Sequence, residues 1–207
     1  MPENVYLKSN RTGLAVMRLQ PPHRGHMNLI GRMLQDCDTV IVALGSAQVW
    51  SVPRHPFTAA QRAEMLHTIF GDLIVTLPLV DMPEASNEAW TAHVLKNCAD
   101  AGLPEPTDIY SGSRQDATYY TGYFASFDDP VTEQPMTKSY HGRRNGEKTG
   151  RHLHILDRIA SGLPPAEDLR KLIERHDPSW RAFVPARIAD YVEAYYPPDM
   201  RMEKPDS

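Results

Sequence analysis

The chain is poor in several features that would each point to a particular class of protein. It has only two cysteines, Cys37 and Cys98, far apart and in no metal-ligand spacing. That excludes a disulfide framework and a thiolate metal site, and leaves two buried, reduced thiols as the expectation. No apolar run approaches the roughly 20 residues that a membrane-spanning helix needs. The first residues, Met1 to Arg11, are polar and lack the apolar centre of a signal sequence. No block of five like charges occurs and the net charge is −4, so a broad electrostatic grip on nucleic acid is not expected. No internal repeat or low-complexity tract is present. A soluble cytoplasmic protein, with neither nucleic acid nor membrane as partner, is the expectation.

What is present is an alternation of strand and helix patterns. At 207 residues and 41% apolar content, one domain with a real core fits. Thr12 to Met17 reads as a buried strand, Gly25 to Gln35 as a helix, and Thr39 to Leu44 as a β-branched strand ending at Gly45-Ser46. Thr58 is a good N-cap for a helix running to Phe70. Leu73 to Leu79, Asn87 to Ala101 and Thr107 to Tyr110 continue as strand, helix and strand. The pattern predicts an α/β protein with a doubly wound parallel sheet and a small helical C-terminal part over 163–196. One domain should span 12–196, with tails at 1–11 and 197–207 and a basic, polar, mobile loop at 128–150. In such sheets ligands bind beyond the carboxyl ends of the strands. Three polar turns fall there: Arg18 to His26, Gly45-Ser46 and Ser111-Gly112-Ser113.

The first of these turns carries the chemistry. An apolar strand ends at Arg18, Pro21-Pro22 follow, and His23 and His26 flank Gly25 at the start of a helix. The two imidazoles would share one face of the first turn. The helix N-terminus adds roughly half a positive charge and backbone N–H groups, Gly25 would let a phosphate approach the backbone, and Arg18 offers a fixed fork to phosphate oxygens. The pattern suits phosphoryl or nucleotidyl transfer, which needs charge neutralisation and alignment more than a protein nucleophile. The plainer reading is that both histidines merely cap the helix.

The residues extend beyond that turn. Ile41 to Gln48, ending Gly-Ser-Ala-Gln, then Arg54-His55-Pro56-Phe57-Thr58-Ala59-Ala60-Gln61-Arg62, then Tyr110-Ser111-Gly112, resemble the nicotinamide mononucleotide adenylyltransferases of archaeal and bacterial type. These are Rossmann-like members of the nucleotidyltransferase superfamily with the His-x-Gly-His signature. Arg114 to Tyr120 resembles the form fused to a Nudix hydrolase, although no Nudix domain is expected in the remaining residues. The resemblance implies ATP and nicotinamide mononucleotide as substrates, NAD and pyrophosphate as products, and direct in-line attack. His23, His26, Arg18 and Arg54 would be catalytic. Gly25, Gly112, Ser113 and Arg170 would bind ATP, and Asn87, Trp90, Gly45 and Ser46 the nicotinamide nucleotide. Mg²⁺ would accompany ATP, held by phosphate oxygens and water, with no protein metal site. A homo-oligomer is left open.

Other residues have weaker assignments. Trp90 fits either a core aromatic or a platform for a cationic ring. Arg62, one helical turn inside Thr58, fits a structural residue pairing with a nearby carboxylate as well as it fits a site residue. Asp81 matches the family in an altered loop. His141, His152 and His154, with Arg143, Arg144, Lys148 and Arg151, would belong to a solvated, mobile loop that closes over ATP phosphates or has no role in the site, or else to a metal site. The family's Ser-x-Thr-x-x-Arg is replaced by Pro165-Ala166-Glu167-Asp168-Leu169-Arg170. That departure supports one alternative, a nucleotide-binding sensor without turnover; the other is a related transferase of the same fold using phosphopantetheine, flavin mononucleotide or another phosphate acceptor.

Overall fold

The structure, a computed structural model, describes residues 10–121, 124, 130–134, 137–144, 147–156 and 162–201. β1 (Thr12–Met17), α1 (Arg24–Asp36), β2 (Thr39–Leu44), α2 (Ala59–Phe70), β3 (Val75–Pro78), α3 (Asn87–Asp100), β4 (Asp108–Ser111) and the short α4 (Arg114–Ala117) form the first half. β5 (Pro130–Gln134), β6 (Thr137–Arg144) and β7 (Glu147–Leu156) follow, and α5 (Ala166–Glu174) and α6 (Ala186–Tyr195) close the chain. The seven strands make one sheet in the order β3-β2-β1-β4-β7-β6-β5. β3, β2, β1, β4 and β7 are parallel, whereas β6 and β5 are antiparallel to their neighbours. The chain reverses its direction of travel across the sheet between β1 and β4, which opens a crevice beyond those strand ends.

Alternation along β2 shows why helices cover both faces. Ile41 and Ala43 join a core with Leu14, Val94, Cys98 and Ile109 on the α3 side. Val40, Val42 and Leu44 join Leu29, Ile30, Met33 and Leu66 on the α1 and α2 side. With both faces buried, the strand needs an almost unbroken apolar run. α2 serves two cores: Leu66 faces the sheet, and Met65 joins Phe57, Leu169, Trp180, Ile188 and Val192 in the C-terminal helical part. Both cysteines are buried and free.

The segment 128–150, expected as a mobile loop, instead supplies β5, β6 and the start of β7 within its described residues. Partnership across the sheet makes this polar stretch a strand. His154 lies on β7 and donates from Nε2 to Asp108 Oδ1 at 2.9 Å, while its Nδ1 accepts from Ser139 Oγ at 2.7 Å. Asp108 also receives Arg11 Nε at 3.0 Å and Thr107 Oγ1 at 2.6 Å, with His152 Nδ1 3.3 Å away. His152 and His154 therefore stand beside the first residue of β4, at the sheet edge opposite the crevice, and neither closes over it. The side chains of His141, Arg143, Arg144 and Lys148 fall outside the described residues.

Arg62 also differs from expectation. Its side chain is fully buried and pairs with carbonyls rather than a carboxylate: Nη1 donates to Arg18 O at 2.7 Å and Gly45 O at 2.8 Å, and Nε to Thr58 O at 3.2 Å. Burial lowers its pKa to about 10. One guanidinium thus ties the turn after β1, the turn after β2 and the start of α2. Replacing Arg62 by Met should cost about 3 kcal/mol in urea unfolding, because each orphaned buried carbonyl costs about 1 kcal/mol or more.

The Asp108 cluster gives acid destabilisation in two stages. Burial lowers the pKa of His154 below 6.5, so the unfolded chain binds the extra proton first. Its contribution is complete above pH 6.5 and is lost as pH falls below it. Hydrogen bonds from its histidine, arginine and threonine neighbours hold the Asp108 carboxyl far below its usual 3.8 despite burial, so its contribution is lost only below that pH. Melting temperature measured against pH should fall in both windows. His154→Gln should shallow the first stage only. A residue of it should persist from His55, which burial and nearby arginines also lower. Asp108→Asn should cost about 3–5 kcal/mol at neutral pH.

Candidate active site

The turn after β1 and the start of α1 build one wall of the crevice. His23 is the N-cap of α1. Its Nδ1 accepts from Gly25 N at 3.1 Å, and His26 Nδ1 accepts from His23 N at 3.2 Å. The capping role and the catalytic role are therefore not alternatives. Because both Nδ1 atoms accept hydrogen bonds, each ring carries its proton on Nε2. The rings lie together, with centroids 3.8 Å apart.

Two expectations for this turn change. The N–H groups at the helix start are engaged: Arg24 N donates to Phe183 O at 2.8 Å, Gly25 N to His23 Nδ1, and His26 N to His23 O at 2.9 Å. A phosphate arriving here meets imidazole N–H groups in place of backbone ones. Gly25 is needed for a different reason as well. A Cβ at this position would lie 3.0 Å from His23 Cε1 and 3.1 Å from His23 Nδ1, so a side chain would displace the ring.

The cleft has a volume of about 1300 Å³. Arg18, His23, Gly25, His26, Gly45, Ser46, Arg54, Trp90, Gly112 and Arg170 all line it. The sequence thus brought residues from nearly the whole chain to one wall. Arg170 is half-buried on α5 and donates to Gln20 O at 2.9 Å, with burial lowering its pKa. Lys171 pairs with both acids of the first turn of α5, at 2.9 Å from Glu167 and 3.5 Å from Asp168, and so offsets one of their two charges. Ser46 is held at φ +53°, with its N–H and Oγ bonded to the Asp81 carboxylate at 3.0 and 2.6 Å. Leu19, after β1, also has a positive φ of +54°. Left-handed non-glycine residues at two adjoining strand ends mark backbone held against its preference.

Two assigned residues do not line the cleft. The Ser113 hydroxyl caps α4 by accepting from Asp116 N at 3.1 Å, and the Asn87 amide points to Thr118 O at 3.4 Å. Ser111, one strand position before Gly112, does line it. Trp90 is half-buried, packs against the core beneath α3 and still borders the cleft, so it has both of the faces considered for it. Residues without a prior assignment also line the cleft: Gln20, His55, Asp116, Tyr119, Tyr120 and Glu174. Of these, His55 had a usable signal, since it sits inside the Arg-x-Pro-Phe-Thr run beside Arg54. Among the described residues no three His, Cys, Asp or Glu side chains group as a metal site, and no helix is long and apolar enough to cross a membrane.

Residues 18–79 match the cytidylyltransferase-like family. The chain is 29% identical over 181 residues to a nicotinamide-nucleotide adenylyltransferase of Pyrobaculum neutrophilum, covering 86% of this chain and 84% of the relative. It is 36% identical over 103 residues to that of Methanospirillum hungatei, covering 48% of this chain and 55% of the relative. Among solved structures, the fold resembles the NadR protein in complex with NAD and AMP-PNP, with TM-score 0.56 and 16% identity, over 87% of this chain and 46% of that one. It also resembles a bifunctional NMN adenylyltransferase/ADP ribose pyrophosphatase of Francisella tularensis complexed with AMP and a Mn ion, with TM-score 0.53 and 20% identity, over 80% of this chain and 42% of that one. The chain spans less than half the length of these two solved proteins. Residues 18–79, which supply Arg18, His23, His26 and Arg54, are the part that matches the cytidylyltransferase-like family, and the chain is similar along most of its length to nicotinamide-nucleotide adenylyltransferases of Pyrobaculum species.

Proposed function

We propose that this protein transfers the adenylyl group of ATP to nicotinamide mononucleotide, forming NAD and pyrophosphate. The observation that carries the reading is the paired His23 and His26, each with its proton fixed on Nε2, on a cleft shared with Arg18, Arg54 and Arg170. In this reading the α-phosphate of ATP lies beside these donors. They stabilise charge that grows on the phosphoryl oxygens during in-line displacement. An oxygen of the mononucleotide's 5′-phosphate forms the new bond to the α-phosphorus, and the bond to the pyrophosphate oxygen breaks. No protein nucleophile is used: Cys37 and Cys98 are buried in the cores on either face of the sheet.

The cleft has distinct ends. Gly112 and Ser111 at the end of β4 suit the adenosine, with Arg170 toward the phosphates. Gly45, Ser46, Asp81 and Trp90 suit the acceptor. The pyridinium ring is a cation, and the Trp90 indole is a platform for it. Mg²⁺ enters with ATP and helps neutralise its phosphates, held by phosphate oxygens and water. The cleft cations are donors, not metal ligands, and fit a metal carried in this way.

Incubation with ATP, Mg²⁺ and nicotinamide mononucleotide should give NAD and pyrophosphate. ATP binding without product would favour the sensor reading, and product with flavin mononucleotide or phosphopantetheine instead would favour the related transferases. His26→Ala should lower kcat by about 100- to 1,000-fold, while the KM for the mononucleotide changes little; steady-state kinetics test this. Trp90→Ala should raise the KM for the mononucleotide about 5-fold, corresponding to a cation–π contact of about 1 kcal/mol. An effect of Trp90→Ala confined to thermal stability would assign it to the core alone.

A further inference from the structure

His55 sits between Arg54 and Pro56, in the loop joining β2 to α2. Its backbone is fixed on both sides. His55 N donates to Val52 O at 2.8 Å in an isolated antiparallel bridge. Two residues on, Phe57 is clamped by Gln20, whose amide donates to Phe57 O at 2.8 Å and accepts from Phe57 N at 2.9 Å. The ring therefore has a defined place on the cleft wall. Its Nδ1 is buried and has no hydrogen-bond partner.

An orphaned buried N–H is rarer and costlier than an orphaned acceptor. Nδ1 is thus the unprotonated nitrogen, and the ring proton sits on Nε2. The charged groups facing the ring are Arg18 after β1, Arg54 in the same loop, Arg62 on α2 and Asp81 after β3. Burial and the three guanidiniums lower its pKa below 6.5 against the opposing effect of Asp81. Protonation would also place an N–H on the buried Nδ1 with nothing to accept it. The imidazole is a neutral donor in a cationic cleft.

We propose that the His55 Nε2–H donates to a phosphate oxygen of the acceptor mononucleotide, making His55 a third imidazole of the site and one that selects for the acceptor. The inference rests on the adenylyl-transfer reading. The acceptor is favoured over ATP by position. The ring is near Asp81, which holds Ser46, and near Arg62, which holds the Gly45 carbonyl. A neutral donor adds a directional hydrogen bond without tightening the grip on every anion that enters the cleft.

The test uses three variants and two measurements. The amide nitrogen of Gln reaches the place of Nε2, that of Asn reaches the place of Nδ1, and Phe keeps the ring without a donor. Equilibrium binding of nicotinamide mononucleotide alone, by titration calorimetry, is measured beside steady-state kinetics. His55→Phe and His55→Asn should weaken mononucleotide binding and raise its KM about 10-fold, with the KM for ATP within 2-fold. His55→Gln should recover to within about 3-fold of the parent. Unchanged mononucleotide binding in His55→Phe, a change in the ATP constant instead, or Asn rescuing as well as Gln would overturn the proposal. If His55→Phe does not fold, the Gln and Asn pair decides. Failure of the unaltered protein to form NAD would sink the adenylyl-transfer reading, and the binding of mononucleotide alone would still report on His55.

Discussion

The buried guanidinium of Arg62 is the constraint on which the cleft depends. A buried cation needs its hydrogen bonds satisfied, and this one satisfies them with the carbonyls of Arg18, Gly45 and Thr58. Those carbonyls belong to the turn after β1, the turn after β2 and the N-cap of α2. Each of these places also presents a residue to the cleft or stands beside one that does: Arg18, Ser46 and the Arg54–Phe57 loop. The planar fork fixes their spacing, which a single point charge such as lysine would not do. Its hydrogen-bond partners are carbonyls, and the Asp81 carboxylate, itself bonded to Ser46, acts on it only through space.

Strain and support are then distributed sensibly. Leu19 and Ser46 adopt left-handed backbone at the two strand ends that Arg62 joins. Such residues persist only where their surroundings over-determine them. Here Arg62 holds the adjoining carbonyls and Asp81 takes both the N–H and the hydroxyl of Ser46. At the neighbouring turn, Gln20 links three distant segments, binding Phe57 through both ends of its amide and receiving Arg170 on its carbonyl. The C-terminal helical part is thereby tied to the same turn that carries the histidines.

The parallel half of the fold and most of the site were legible because their signals are local. β-branched runs, caps such as Thr58, and polar turns at strand ends each occupy a few consecutive residues. The β5–β7 extension was not legible, because what buries its polar residues is remote in sequence. His154 becomes a core residue only when Asp108 and Ser139 are beside it, and Asp108 only when Arg11 is. The roles within the first turn were hidden for a related reason. The spacing of His23 and His26 fits both capping and phosphate binding, and the direction of the Nδ1 bonds shows a capping that is compatible with phosphate binding through Nε2. Asn87 and Ser113 carry the right identities at the right spacing, but local hydrogen bonds turn them to Thr118 and Asp116.

The Pro165–Arg170 segment looked like the weak point of the site, since it lacks hydroxyl donors and places two acids at a helix start. Lys171, one turn on, pairs with both acids and offsets one of their two charges, so the charge that reaches the cleft is reduced. They also suit the helix N-terminus, where negative charge is favoured. Pro165 offers no side-chain cap, and the acids make up part of that loss. The substitution therefore exchanges phosphate-binding hydroxyls for a self-stabilised helix start and leaves Arg170 in place. Arg170 remains a fixed cation on the cleft, held by the same contact with Gln20 that locks α5 onto the first turn. The cost of the departure falls on the hydroxyl donors missing from this helix start and on the one acid charge that Lys171 leaves unbalanced.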